Sequence, residues 1–270
     1  MNPLARLSFN QITVDPWTLE QAVRNCVNSG VPGIAIWRHK LNGDVSSAAA
    51  QIRNSGLRVS SLCRGGYFSA PTRDERKRRI DDNRAAIEEA ATLGAPVLVI
   101  VSGPPDGQSL SDARATVIDG LHEILKDAEQ AGITLGIEPL HPMYAAERSV
   151  VVTLKQANDI AEQLSSPAVG VVVDVFHVWW DPELSAEISR ARGKIAGFHV
   201  SDWPVPLPGI LMGRAMMGDG VIELRKLREM VESACYEGPI EVEIFNEAVW
   251  HMPEGEVMDL IQQRFLEHVA

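Results

Sequence analysis

The sequence predicts an α/β protein, a single (β/α)8 or TIM barrel over residues 1–270. Eight short apolar runs are each followed by a stretch with apolar residues at helical spacing. No linker or low-complexity segment interrupts this alternation, and 270 residues suit one such barrel. A doubly wound open sheet would also alternate strands and helices. The count of eight, and polar residues at the ends of the last four strands, favour the barrel.

The strands are predicted from short runs of apolar and β-branched residues. Val171, Val172 and Val173 show no alternation, which is typical of a parallel strand covered on both faces. Asp174 follows this run directly, and His177 comes three residues later. A carboxylate on a buried strand must be paired with another group or exposed to solvent, because burying an isolated charge is costly. In chain order, the predicted strands are 7–10, 33–37, 57–63, 97–101, 133–137, the run that begins at 171, 195–200 and 240–245.

The helices are predicted where apolar residues recur at helical spacing between two strands. Gly30 follows the first helix, and Gly56 closes the Ala-rich second helix. The third helix begins with the charge run RDERKRR at 73–79, which is typical of a solvated helix face. In chain order, the predicted helices are 17–29, 45–54, 74–93, 113–130, 152–164, 182–191, 221–235 and 254–269.

Composition excludes several classes of partner. A net charge of -11 disfavours nucleic acid, because phosphate binding needs clustered Lys and Arg. The three cysteines, Cys26, Cys63 and Cys235, are too few and too scattered for a disulfide framework or a thiolate zinc site. Neither a signal-peptide pattern nor an apolar run of about 20 residues is evident, so we expect a cytoplasmic protein without a membrane partner. The exposed helices of two copies of the chain could pack against each other, so a homo-oligomer is possible.

Polar side chains fall at the ends of the last four predicted strands: Glu138, Asp174, His199 and Glu243. Because the C-terminal ends of barrel strands converge on one mouth, we expect these four side chains to share a site. Three carboxylates and one imidazole suit a divalent cation, with manganese as the first choice and magnesium, cobalt or zinc as alternatives. Without a cation, the converging anions would repel one another and become partly protonated. Alternatively, the four residues could form unrelated salt bridges at the rim of the barrel. Their positions at the ends of four consecutive strands disfavour this alternative.

Five segments resemble motifs of the sugar (phosphate) isomerase/epimerase family of xylose isomerase-like TIM barrels. They are IEPLHP at 137–142, VDVFHVWWDP at 173–182, FHVSDW at 198–203, MGDG at 217–220 and GPIEVEIF at 238–245. This resemblance, which covers essentially the whole chain, implies that the four strand-end residues bind the metal. It further implies that Glu138 and Glu243 double as the catalytic acid/base pair, and that His177 and Arg214 contact the substrate.

The implied chemistry is proton transfer at a carbon next to a carbonyl. A metal bound to adjacent carbonyl and hydroxyl oxygens of a sugar or keto-sugar polarises the carbonyl and stabilises an enediolate. One glutamate removes the proton and the other returns one, which gives epimerisation, or isomerisation if the proton returns to the adjacent carbon. We expect the abstracting glutamate to bind the metal weakly or through one oxygen, since ligation lowers a carboxylate's basicity.

Further side chains at or after strand ends are weaker candidates for substrate binding. Arg64 could meet an anionic or hydroxyl group, or form a salt bridge with a rim carboxylate. His141 could line the mouth or orient a ligand, or be an ordinary loop histidine. Trp37 and Trp179 could stack on sugar C–H surfaces, or cap the barrel core.

Three other functions compete with the isomerase or epimerase. A metal-dependent lyase or hydratase on a keto-sugar or keto-glycoside would begin with the same proton abstraction and then expel a β-substituent. A nuclease of the endonuclease IV type would need more histidine ligands and a basic face, and neither is evident. A non-catalytic sugar-binding subunit would not require both Glu138 and Glu243.

Overall fold

The computed structural model describes residues 2–270 and confirms a closed, eight-stranded parallel barrel. The strands follow one another around the barrel in sequence order, and the first pairs in parallel with both the second and the eighth. The strands are β1 Leu7–Asn10, β2 Gly33–Trp37, β3 Arg58–Gly66, β4 Val97–Val101, β5 Thr134–Glu138, β6 Val169–Asp174, β7 Ile195–Val200 and β8 Ile240–Val242.

Helices connect the strands. They are α1 Leu19–Ser29, α2 Val45–Ser55, α3 Arg73–Leu93, α4 Leu110–Ala131, α5 Leu154–Leu164, α6 Val175–Val178, α7 Leu184–Arg190, α8 Leu224–Ser233, α9 Glu247–Trp250 and α10 Glu254–His268. From α1 to α8 the longer helices pack against one another in sequence order, and the last helix packs against the first. Within residues 2–270, none of these helices combines the length and the apolarity needed to cross a membrane.

Local sequence explains where these elements begin and end. At the start of α1, the Thr18 hydroxyl accepts from the Gln21 N–H, and the Gln21 side chain accepts from the Thr18 N–H. This capping box satisfies two N–H groups that have no partner inside the helix. Gly30 ends α1 with a φ of 73°, a left-handed conformation that glycine adopts without a Cβ clash. Every residue of β4 and β6 is buried, as expected for strands with both faces covered.

Three predicted boundaries at the C-terminal ends of strands were wrong by more than one residue. The strand predicted to begin at 171 stops at Asp174, because the Asp174 Oδ1 caps the single turn of α6 by accepting from the Phe176 N–H at 2.9 Å. His177 therefore lies on a helical turn. β8 ends at Val242 and leaves Glu243 just beyond the strand. β3 continues three residues past its predicted end, to Gly66.

Candidate metal centre and catalytic site

The four strand-end side chains meet at one buried point in the mouth of the barrel. Glu138, Asp174, His199 and Glu243 each offer one ligand atom, and these atoms all lie within 4.8 Å of one another. Each side chain is nearly inaccessible to solvent. The parallel register brings this about, because Asp174 lies opposite His199 and the neighbouring strands end at the same level. The structure thus brings together the four residues that the sequence pattern singled out.

His199 stands at the centre of this cluster. Its Nδ1 lies 2.9 Å from Glu243 Oε2, to which it is hydrogen-bonded, and 3.3 Å from Glu138 Oε1. Its Nε2 lies 3.2 Å from Glu241 Oε2, an ion-pair distance without hydrogen-bond alignment. The imidazole therefore presents Nδ1 to the two proposed catalytic glutamates and Nε2 to a third carboxylate deeper in the barrel.

Burial and charge drive the pKa values of these groups in different directions. Burial raises the pKa of Glu138 to about 7, although the nearby imidazole of His199 works against this. Burial also raises the pKa of Asp174, more than the nearby Arg214 charge lowers it. For Glu243, burial is outweighed by Arg214 and His199, so its pKa is lowered. The two glutamates are thus a carboxyl that carries a proton near neutral pH and a carboxylate that stays ionised.

The donor set fits a divalent cation. Glu138 Oε1 is a buried oxygen without a hydrogen bond among the described residues, and it faces the other ligand atoms. Burial would lower the pKa of His199, but the carboxylates of Glu241, Glu138 and Glu243 raise it well above its usual range, so the site as it stands attracts positive charge. A cation at this point would offset the three carboxylates and use oxygen and imidazole ligands suited to it.

Metal binding at this site is expected to release protons. The cation needs the lone pair of His199 Nδ1, and Glu138, with a pKa of about 7, would lose its proton to bind. At pH 7 we expect release of about one to two protons per metal, and an apparent affinity that rises with pH. Calorimetric titration with Mn²⁺ in buffers of different ionisation enthalpy counts the protons. Binding without proton release would contradict this assignment of ligands.

Arg214 and His177 form a buried pair beside Asp174. The Arg214 Nη1 donates to Asp174 Oδ2 at 2.8 Å and to the Glu243 backbone oxygen at 3.2 Å. The Arg214 Nη2 lies 3.1 Å from His177 Nε2. Since guanidinium is only a donor, Nε2 is the acceptor and the His177 proton lies on Nδ1, which has no partner among residues 2–270. Burial and the Arg214 charge lower the pKa of His177 well below its usual range, so the ring is a neutral donor.

Glu241 is a buried carboxylate of the site that the sequence reasoning missed. It accepts from Asn10 Nδ2 at 3.1 Å and faces His199 Nε2. A carboxylate behind a metal-binding histidine fixes the tautomer and the orientation of the ring. The signal was present in the sequence, because Glu241 and Glu243 are two residues apart in IEVEIF and a strand of period two points both to the same side.

Replacing Glu241 by glutamine is expected to weaken metal binding by about 10- to 100-fold, because a neutral amide no longer favours the proton on His199 Nε2. Calorimetric titration with Mn²⁺ measures the change. Glu237→Gln, an exposed glutamate in the connection between α8 and β8, is the matched control and should leave the affinity unchanged. Equal affinities of the Glu241 variant and the wild type would show that this carboxylate does not act on His199.

The cavity at Glu138 and Glu243 is small, about 30 Å³. The connection between β7 and α8 covers it with Leu211, and the Tyr144 hydroxyl holds the neighbouring residue by donating to the Ile210 backbone oxygen at 2.5 Å. This is room for a water molecule or two, so a sugar enters only when this connection moves or when most of the sugar lies farther out.

Four of the six predicted substrate contacts line this cavity: Trp37, Arg64, His177 and Arg214. The other two do not. His141 packs on Trp203, with ring centroids 5.0 Å apart, and its Nδ1 accepts from the Met143 N–H. Trp179 packs against the same Trp203 and faces a separate surface cavity. Both side chains contribute to an aromatic cluster beside the mouth, and the structure gives neither one direct access to the site.

A family model described as xylose isomerase-like TIM barrel matches residues 23–266. The chain belongs to this family. Among curated proteins, it resembles L-ribulose-5-phosphate 3-epimerase UlaE of Salmonella typhi, with 25% identity over 227 residues, 82% of this chain and 75% of the relative. The UlaE of Salmonella heidelberg matches to the same extent. Both of these curated relatives are thus sugar epimerases.

Solved structures share the fold over nearly the full length of the chain. Protein SMc04130 from Sinorhizobium meliloti 1021 is 43% identical, with a TM-score of 0.96, and the alignment covers 98% of this chain and 99% of that one. The IOLI protein, solved with a zinc atom, is 20% identical with a TM-score of 0.86 over 98% of both chains. At that identity, the second likeness supports the fold alone.

Proposed function

We propose that this protein is a divalent-metal-dependent sugar epimerase or isomerase that moves a proton at a carbon next to a carbonyl. The observation that carries the proposal is the pair of buried glutamates, Glu138 and Glu243, which share one point with two further metal-ligating groups and have pKa values displaced in opposite directions. A binding protein would need neither a base nor an acid at this point. The epimerase activity of the curated relatives supports the same reaction class.

Glu138, Asp174, His199 and Glu243 would hold the cation. When bound, it would supply a Lewis acid that polarises the substrate carbonyl and favours negative charge on its oxygen. The deep burial of these ligands excludes bulk water, which strengthens each electrostatic contact.

Glu243 is the base of this proposal, because Arg214 and His199 keep it ionised. It takes the proton from the carbon next to the carbonyl and leaves an enediolate. Glu138, the second carboxylate of the pair, takes up a proton from water and returns it to the carbon. In the reverse direction the two exchange roles. His177 and Arg214 line the cavity, where they would orient the substrate oxygens.

A screen of ketoses and keto-sugars with the Mn²⁺-loaded protein tests this proposal. We expect a C3 epimer or an aldose–ketose isomer to accumulate with at least one substrate, detected by chromatography of the products. Release of a β-substituent without any epimer would instead identify a lyase. A panel that yields neither outcome with the metal-loaded protein would contradict the proposed reaction.

A further inference from the structure

A second, larger cavity adjoins the catalytic cavity across Arg64. It measures about 420 Å³, against about 30 Å³ for the inner cavity, and the two share Trp37, Cys63 and Arg64 as walls. The inner cavity has room for little more than the reacting atoms of a substrate. The remainder of a substrate that reacts between Glu138 and Glu243 would extend past Arg64 into the outer cavity.

Four arginines line the outer cavity, and they are of two kinds. Arg38 and Arg79 form ion pairs with carboxylates of α3 and of the connection after β4. Arg64 and Arg78 have no carboxylate partner within residues 2–270, although the chain carries 36 acidic against 25 basic residues. The first pair holds the wall together, whereas the second pair keeps its N–H groups available.

The backbone under Arg64 is fixed in place. The Arg64 guanidinium lies over the Tyr67 ring, with Cζ 3.8 Å from the ring centroid, which leaves its N–H edge free. The Asn83 side chain accepts from the Gly66 N–H at 2.6 Å and donates to the Gly66 carbonyl at 2.8 Å. A Cβ at Gly66 would lie 1.8 Å from the Val101 oxygen, so only glycine allows this close approach. The guanidinium is thus positioned before any ligand arrives.

Through its hydrogen bonds to Gly66, Asn83 also connects the end of β3 to α3, the helix that carries Arg78 in its first turns. Arg64 and Arg78 consequently line the same cavity from two elements, β3 and α3, that are hydrogen-bonded to each other. Inside, the three carboxylates of the metal centre would repel a second anion. Charge therefore favours a substrate that points its anionic end outward.

We propose that Arg64 and Arg78 form the subsite for an anionic substituent, a phosphate or a carboxylate, at the end of the substrate remote from Glu138 and Glu243. The guanidinium fork suits both groups because each offers two oxygens in one plane. This inference rests on the function proposed above, and it narrows the substrate to a ketose or keto-sugar with a terminal anion.

Kinetics with matched substrate pairs test the subsite. The Mn²⁺-loaded protein is assayed with D-ribulose against D-ribulose 5-phosphate, and with D-fructose against D-fructuronate, which separates phosphate from carboxylate. We expect the wild type to prefer the anionic member of at least one pair. We expect Arg64→Gln to lower the ratio of the two kcat/KM values by about 10- to 100-fold. Arg78→Gln, on an exposed helix turn, should lower it by about 3- to 10-fold.

Arg53→Gln is the matched control, because Arg53 is an exposed arginine in the last turn of α2, away from the mouth, and forms no ion pair with residues 2–270. It should leave both ratios unchanged. Equal kcat/KM for charged and uncharged members in the wild type, or ratios unaltered in both cavity variants, would overturn the subsite and leave the proposed function standing.

If the wild type turns over none of these four sugars, the wider screen decides the proposed function, and calorimetric binding of the same four sugars decides the subsite. An anionic sugar that binds at least 10-fold more weakly to Arg64→Gln than to the wild type and Arg53→Gln would support it. Equal affinities of the wild type for the charged and the uncharged sugar of each pair would overturn the subsite. If Arg64→Gln does not fold, Arg78→Gln still tests the subsite, because Arg78 is solvent-exposed and its replacement should not disturb the fold.

Discussion

Replacing Glu243 by glutamine is expected to reduce turnover by about 10²- to 10⁴-fold through the loss of the base alone. Loss of a charged metal ligand reduces it further. The fold should persist, because the glutamine amide fills the same volume and can still accept from His199 Nδ1. Arg214 keeps its bond to Asp174 in this variant. The rate of epimer formation at saturating Mn²⁺ and the circular dichroism spectrum measure the two effects.

Glu247→Gln supplies the control for this substitution. Glu247 is an exposed glutamate four residues along the chain, in the first turn of α9. Its loss should leave turnover within about twofold, because an exposed charge outside the site interacts weakly with it. A Glu243→Gln protein that is folded, binds Mn²⁺ and turns over at the wild-type rate would remove Glu243 from the acid/base pair.

Exhaustive chelation is expected to abolish turnover, and Mn²⁺ or Co²⁺ should restore it. Without a cation, three buried carboxylates share one point, and His199 and Arg214 are among the groups that offset them. A metal that binds the folded state and not the unfolded chain stabilises the fold by about 2.7 kcal/mol at 100 times its dissociation constant. Thermal unfolding should therefore shift upward on metal addition, in step with the recovery of activity.

Two results would contradict this picture. Full activity in the chelated protein, with metal content confirmed as negligible, would make the four side chains a structural cluster. Recovery of activity without a rise in the unfolding temperature would place the metal elsewhere. Zn²⁺ and Mg²⁺ in parallel titrations show which cation the oxygen-rich set prefers.

Much of the barrel is predictable because its signals are local. Runs such as VLVIV at 97–101 and IAGFHV at 195–200 are short and bounded by turn residues, and both strands have the predicted bounds. The meeting of Glu138 with Glu243 followed from topology, since a closed parallel barrel sends the ends of all its strands to one mouth.

Other features depend on contacts between distant segments, which local patterns do not show. The turn of α6 exists because Asp174 caps it, so its carboxylate serves both a backbone N–H and Arg214. His141 and Trp179 were placed by sequence proximity to the strand ends, yet both pack against Trp203 beside the mouth. Aromatic residues that follow a strand can either line a site or support its wall, and only three-dimensional packing separates these roles.

The subsite at Arg64 shows the same limit. The sequence left a ligand contact and a salt bridge equally open at Arg64. Two structural features favour the ligand contact: Arg64 lines the outer cavity, and it has no carboxylate partner within residues 2–270. Neither property is visible in the segment RGGYF, because the ion pairs that could have neutralised this arginine belong to other elements.

Proton transfer between the substrate and Glu138 or Glu243 is the central claim, and solvent isotope incorporation tests it most directly. The Mn²⁺-loaded protein is incubated in deuterated water with the sugar that it epimerises or isomerises, and the product is analysed by NMR and mass spectrometry. We predict that one deuterium appears in each product molecule, at the carbon that receives the returned proton, and that Glu243→Gln shows no incorporation. A product formed at the wild-type rate without any solvent deuterium would contradict proton exchange through these two glutamates.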